Sequence, residues 1–170
     1  VAVLADIIGR GLASGRPAAG TEGRIYSSTD TGALERDNGS SWDSIGGAGA
    51  GQVSTLNFVI DGGGATIATG IKGDLAVDFA GTITGVTLLA DQSGSIVVDI
   101  WKDTYANYPP TDADSITAAA PPTISAATKS QDTTLTGWTT SISAGQILRF
   151  NVDSVTSIQR VTVALKVTRS

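Results

Sequence analysis

QILRFNVD (146–153) and RVTVALKV (160–167) decide the fold. In the first, Leu148, Phe150 and Val152 alternate with Arg149, Asn151 and Asp153; in the second, Val161, Val163, Leu165 and Val167 alternate with Thr162, Ala164 and Lys166. Successive side chains of a strand point to opposite faces, so a period of two marks a strand with one face in a core and the other in solvent. On this reading Phe150→Ala opens a cavity costing about 3–5 kcal/mol, while Arg149→Ala, on the solvent face, costs only about 0.5 kcal/mol. SIVVDIW (95–101) puts Ile96, Val98 and Ile100 on one face in the same way. LNFVI (56–60) stops at the turn Asp61-Gly62-Gly63-Gly64, and LAVDFAGTITGVTLLA (75–90) reads as two strands broken near Gly81 or Gly85. Strands buried on one face fit two antiparallel sheets packed together, since parallel strands are covered on both sides and carry continuous apolar runs. The predicted fold is all-β, an antiparallel jelly-roll-like β-sandwich over residues 53–170.

Composition agrees. The 170 residues are 41% hydrophobic and 16% charged, rich in Val, Ile, Thr, Ala and Gly, with no Met and only Glu22 and Glu35 for Glu. Branched side chains suit a pleated sheet and few strong helix formers are present. Pro109, Pro110, Pro121 and Pro122 keep the stretch 105–125 out of central strands, so it should cover an edge or form an exposed loop.

Upstream, GGAGAGQ (46–52) reads as a flexible linker. Residues 24–45 read as a three-stranded β-meander turning at Thr29-Asp30-Thr31-Gly32 and at Asn38-Gly39, the dipeptide of type I′ hairpins. Its apolar content is Ile25, Leu34, Trp42 and Ile45, too little to stand without packing on something else. Residues 1–23 hold Gly at 9, 11, 15, 20 and 23 and Pro17, with no hydrophobic period. They are expected to form an extended arm ordered by a partner surface. VAVLADII (1–8) contains Asp6, lacks a positive leader and falls far short of the ~20 apolar residues of a membrane span, so it reads as a docking strand. The expected division is an arm and hairpin attachment module (1–45), a linker (46–52) and the sandwich (53–170).

Several function classes are disfavoured. The net charge of −5 is shared between 1–45 (4 basic, 6 acidic) and 46–170 (7 basic, 10 acidic). Nothing resembles the cationic track with interleaved aromatics that a phosphate backbone requires, so no nucleic-acid partner is expected. There is no His and no Cys, which removes the usual general base near neutral pH, the commonest metal ligand and thiolate chemistry. Asp99 with Asp103, and Asp112 with Asp114, offer oxygens to a calcium ion, but the spacing lacks the glycine and closing glutamate of a calcium loop. Asp61, Asp74, Asp78, Asp91 and Asp99 offer carboxylates for a hydrolase, yet no motif pairs any two across a cleft. Asn38-Gly39-Ser40 matches a glycosylation acceptor that the Asn-Gly turn already explains. The expectation is therefore a non-enzyme with no catalytic residue, cofactor or metal. Trp101, Tyr105, Tyr108 and Trp138 remain as candidate partner or glycan contacts, because aromatics bury large area at low entropic cost. The two tryptophans read more readily as core or edge plugs than as contacts, whereas the tyrosines flank Pro109-Pro110 and should be exposed.

Two segments resemble phage virion proteins. Arg16-Pro17, Gly20-Thr21, Gly23-Arg24-Ile25-Tyr26, Thr29-Asp30-Thr31-Gly32 and Arg36-Asp37-Asn38-Gly39-Ser40-Ser41-Trp42 are similar to a module of phage head and tail structural proteins. Phe58-Val59-Ile60-Asp61-Gly62-Gly63-Gly64, Thr69-Gly70-Ile71-Lys72-Gly73, Ile83-Thr84-Gly85, the run Leu88–Lys102 and Thr136-Gly137-Trp138 resemble a structural domain found behind that module. The resemblance implies a bacteriophage virion structural protein, either a capsid decoration (cement) protein or a tail-fibre or receptor-binding module recognising host glycan. The long shaft of a free-standing fibre is missing. The decoration reading implies a homotrimer on the virion surface, assembled in the host cytoplasm without membrane insertion. Its partners would be the major capsid protein or other virion proteins, with Ile7, Ile8, Arg10, Arg16, Tyr26 and Trp42 as capsid-attachment candidates.

Overall fold

The computed structural model describes residues 8–46 and 51–170. The chain divides into two compact units, Val1–Ala50 and Gly51–Ser170, each taken by itself below.

The first unit is one four-stranded sheet in the order β1 (Ile8–Gly11), β2 (Ile25–Ser28), β3 (Leu34–Asp37), β4 (Trp42–Gly46). The three meander strands pair antiparallel. The fourth, β1, comes from the stretch expected to be an arm and pairs parallel to β2, with Ile8 opposite Ile25 and Gly9 opposite Tyr26. Glycine makes this possible: a Cβ at Gly9 would stand 2.7 Å from the Tyr26 ring, and one at Gly11 would stand 2.7 Å from its hydroxyl. Within the unit, Ile8–Gly11 is thus a paired strand, and two of the glycines that hid any period seat the Tyr26 ring.

The Asn38-Gly39 hairpin joins β3 to β4 through four residues instead of two. Asn38 keeps a negative φ, so the turn is not type I′; Gly39 takes φ +91°. Asn38 Oδ1 accepts from the Ser40 and Ser41 amides and closes the loop as an Asx turn.

The second unit is a sandwich whose two layers belong to one curled antiparallel sheet. Its strands are β5 (Val53–Asp61), β6 (Gly70–Ala76), β7 (Gly81–Thr104), β8 (Thr123–Asp132), β9 (Ser141–Ile142), β10 (Gln146–Thr156) and β11 (Arg160–Arg169). The order is β5-β11-β7-β10-β6, with β8 and β9 also on β7. The stretch 75–90 does break before Gly81, where β6 ends at Ala76 and β7 begins, but its second strand runs on without interruption through 95–101: the first part of β7 pairs with β11 and the last part with β10. β8 follows the same bend, pairing with Val86–Leu89 and then, after register shifts, with Gly94–Val97. At the corner a Cβ on Gly94 would lie 2.3 Å from the Thr156 carbonyl oxygen and 2.7 Å from Ile158 Cγ1, so only glycine lets the sheet fold over itself. A second slip near Gly85 changes parity from Ile83 to Val86 and Leu88, which is why TITGVTLL shows no clean alternation.

The core sits between the layers. Ile96, Val98, Ile100, Leu148, Phe150, Val152, Val161, Val163, Leu165 and Val167 are all buried in it, as their alternation predicted. Burial of each such side chain stabilises by roughly 1.5–3 kcal/mol against exposure. Phe150 stacks on Phe58 with ring centroids 4.2 Å apart and planes 4° apart. The proline-bearing stretch lies along the later part of β7: Ser115 bridges Trp101, the Ile116 amide donates to Ile100 O, and Thr123 and Ile124 pair with Val97 and Ile96.

Candidate functional site

Two regions gather the residues singled out by the sequence. In the first unit, the segment 12–24 closes one face of the small sheet. Asp37, fully buried, accepts from the Gly20, Thr21 and Gly39 amides and from Arg24 at 2.5 Å. Burial alone would raise the Asp37 carboxyl; the bonds from Arg24 and the Thr21, Gly39 and Gly20 amides outweigh it and hold the group far below its ordinary value. Tyr26 meets Trp42 edge-on at 6.0 Å, and the guanidinium groups of Arg16 and Arg24 lie 5.5 and 5.4 Å from the Trp42 ring. The Trp42 indole donates to Pro17 O, Tyr26 OH donates to Leu12 O, and Arg16 pairs with Glu35. Tyr26 is the one buried hydrophobic among the described residues of this unit. A polar, charge-assisted network replaces the apolar core that the sequence shows to be missing.

The opposite face is open. Pairing register places Ile8, Ile25, Arg36 and Asp43 in one cross-strand row and Arg10, Ser27 and Leu34 in the next. Ile8 is 51% exposed and Leu34 37%. Of the attachment candidates, Ile8 and Arg10 lie on this open face, while Arg16, Tyr26 and Trp42 are the packing of the closed one. Ile7 lies outside the described residues.

In the sandwich, the four aromatic candidates separate. Trp101 is buried and donates to Asp99 Oδ2 at 2.7 Å. Trp138 packs half-buried against the core and donates to Ala120 O at 2.9 Å. Tyr105 and Tyr108 are 78% and 51% exposed. With Asp74, Ala76 and Ile147 they line an open groove of about 520 Å³.

Behind that groove, Arg149 corrects the sequence reading. Its side chain does leave the core, as the alternation predicted, but the loop from Thr104 to Ser115 covers it and leaves it 9% exposed. Arg149 Nε and Nη2 donate to the two Asp74 oxygens at 2.7 and 2.9 Å, Nη1 to Pro110 O at 3.4 Å and Nη2 to Tyr108 OH at 3.2 Å. Tyr108 OH donates to Asp74 Oδ2 at 2.9 Å. The Arg149 hydrogen bond draws the Asp74 carboxyl below its ordinary range against the opposing effect of burial, and Tyr108 adds to it. Sequence alone gave no sign that Asp74 and Arg149, 75 positions apart, would meet.

Three of the four carboxylates weighed for calcium, Asp99, Asp103 and Asp114, accept hydrogen bonds within the unit. Asp99 accepts from the Ile100 amide, Trp101, Ser115 and Thr117; Asp103 accepts from Thr104 N and Asn107; Asp114 accepts from Thr111. Asp153 is pushed up by burial and, further, by the charges of Asp99 and Asp112, against a bond from Asn151. Among the described residues no group of three or more acidic side chains is arranged to hold a metal ion. Asp61 spends Oδ1 on the Gly63 amide at 2.7 Å, which makes Asp61-Gly62-Gly63-Gly64 the turn it was read to be. No helix among the described residues is long and apolar enough to cross a membrane.

No protein-family model matches the chain, and no curated protein matches it. Among solved structures it is similar to a chain in the structure of infectious bursal disease virus Gx strain, at 11% identity and a TM-score of 0.24. The match covers 81% of this chain and 43% of that one, so the chain spans less than half the length of that relative.

Proposed function

We propose that this chain is a structural protein of a bacteriophage particle, a capsid decoration subunit that attaches to the shell through its first unit. The observation that carries the reading is the asymmetry of that unit. One face is closed by its own loop, and the other presents Ile8, Ile25 and Leu34 beside Arg10, Arg36 and Asp43 with nothing described over it. An apolar strip bordered by both signs of charge suits a protein surface. The phage-like motifs quoted above run through this unit, which supports the setting.

Size sets the mechanism. Four strands at about 4.8 Å spacing and four residues at about 3.4 Å make a plate of roughly 260 Å². That is well under the ~800 Å² per partner of a stable interface. One plate alone binds weakly, so durable attachment calls for several plates acting together, and a homotrimer on a symmetry position of the shell supplies three. The action is passive and non-enzymatic: bridging neighbouring capsid subunits adds buried area that resists their separation.

Particles stripped of the protein test this directly. The full chain should rebind them and residues 51–170 alone should not, while circular dichroism shows the truncated chain folded. A truncated chain that rebinds as well as the full one defeats the assignment of attachment to the first unit. The rival placement, a tail-associated module, is favoured by the exposed tyrosines; copy number separates the two, with hundreds per particle for decoration and a handful for a tail.

A further inference from the structure

The chain has nine aromatic side chains, three each of Trp, Tyr and Phe. Eight have a place in the fold. Tyr26 and Trp42 pack on each other, Phe58 stacks on Phe150, and Arg169 lies 4.5 Å from the Phe79 ring. Trp101 and Trp138 donate their indole N–H groups within the sandwich, and Tyr108 is tied to Asp74 and Arg149. Tyr105 has no such place. Among the described residues it is the most exposed of the large hydrophobic side chains, and its hydroxyl meets no described partner. Leaving so large an apolar ring in water contributes nothing to folding.

Its surroundings say what it suits. The groove it lines has a second ring at Tyr108, an apolar floor at Ala76 and Ile147, and a carboxylate wall at Asp74. Tyr108 is held in place by its hydroxyl bonds and by Arg149, whose guanidinium lies 5.2 Å from the ring centre. Asp74 accepts three bonds, one on Oδ1 and two on Oδ2. An ionised carboxylate has about four acceptor positions, so one remains on Oδ1. The Asp74 side chain is 25% exposed, which leaves that position reachable. Arg149 balances the Asp74 charge, so the groove favours neither an anion nor a cation.

We infer that this groove binds one neutral pyranose ring of a glycan, with Tyr105 as the stacking platform and Asp74 as acceptor for a sugar hydroxyl. A pyranose presents a C–H face to an aromatic ring and hydroxyl donors at its rim, which match the two kinds of surface here. The inference is independent of whether the chain sits on shell or tail.

The full chain, labelled with nitrogen-15, is titrated with the methyl glycosides of glucose, galactose, mannose and N-acetylglucosamine while its amide spectrum is followed. At least one sugar should give saturating shifts confined to Asp74–Ala76, Tyr105–Tyr108 and Ile147, with a dissociation constant on the order of a few millimolar for so small a ligand. Tyr105→Ala should weaken that binding at least about fivefold through loss of the stack, and Tyr105→Phe should keep it. The spectra of both variants report their folding, and rebinding to stripped particles should be unchanged in both. The inference is overturned by any of three results: no saturating shift with any of the four sugars, shifts centred elsewhere, or Tyr105→Ala binding as tightly as the parent.

Discussion

Replacing Arg149 by Ala removes four hydrogen bonds at once: two to Asp74 at 2.7 and 2.9 Å, one to Tyr108 OH at 3.2 Å and one to Pro110 O at 3.4 Å. Hydrogen bonds to charged groups are worth about 1.5–3 kcal/mol, the forked arginine–carboxylate pair being at the strong end. Asp74 keeps a quarter of its side chain in water, so solvent recovers part of that loss and the lower half of the range applies. Lost packing of the arginine stem and its contact with the Tyr108 ring add about 0.5–1 kcal/mol. The expected destabilisation of the sandwich is about 2–3 kcal/mol, four to six times the solvent-face expectation of about 0.5 kcal/mol. For a unit of this length, that corresponds to a fall in Tm of roughly 6–12 °C. Urea unfolding of the full chain, followed by tryptophan fluorescence, gives the value. Asp74→Asn provides the second arm, since it keeps the shape and leaves Arg149 buried without its counter-charge. A loss below about 0.5 kcal/mol in Arg149→Ala would refute the reasoning, because it would mean that Tyr108 and Pro110 do not cover the guanidinium.

Three further outcomes follow from the packing. Phe150→Ala empties the space against Phe58 and should cost about 3–5 kcal/mol in the same urea experiment. Gly94→Ala forces a Cβ to within 2.3 Å of the Thr156 carbonyl oxygen and should cost at least about 1–3 kcal/mol, because backbone at a sheet corner yields poorly. Asp37→Asn should abolish the ordered Trp42 indole signal in a proton NMR spectrum while those of Trp101 and Trp138 persist. The unmodified Asp37 predicts the pH response of the same signal. Its folded-state value is depressed below the ordinary 3.8, so its contribution is complete above that value and is lost as pH falls below it toward the folded value. A Trp42 signal that disperses instead between pH 5 and pH 7 would contradict the role given to this carboxylate.

The sandwich was legible because its strands bury one face only. Wherever a side-chain period of two persists, as in Leu148–Val152 and Val161–Val167, the apolar positions are the core positions; Arg149 is the exception on the other face, buried under a loop rather than left in solvent. Legibility failed where the period is interrupted by a physical device. The parity slip near Gly85 and the bend at Gly94 turn one 24-residue strand into what reads as separate pieces. The first unit defeated a reading based on apolar content, because its order comes from glycines that accommodate the Tyr26 ring and from a buried Asp37. The Asp-Asn-Gly run and nearby Arg24 were visible, but nothing local says that a strand carboxylate will turn inward. The groove was half legible: tyrosines beside a proline pair were expected to be exposed. Asp74 and Arg149 were not, since their meeting depends on the antiparallel pairing of β6 with β10.

The central claim concerns the place of this chain in a particle, and counting tests it most directly. Quantitative mass spectrometry of purified particles, referenced to the major capsid protein, measures copies per particle. The account predicts hundreds of copies in a fixed ratio to the capsid protein; a handful per particle, or none, contradicts it.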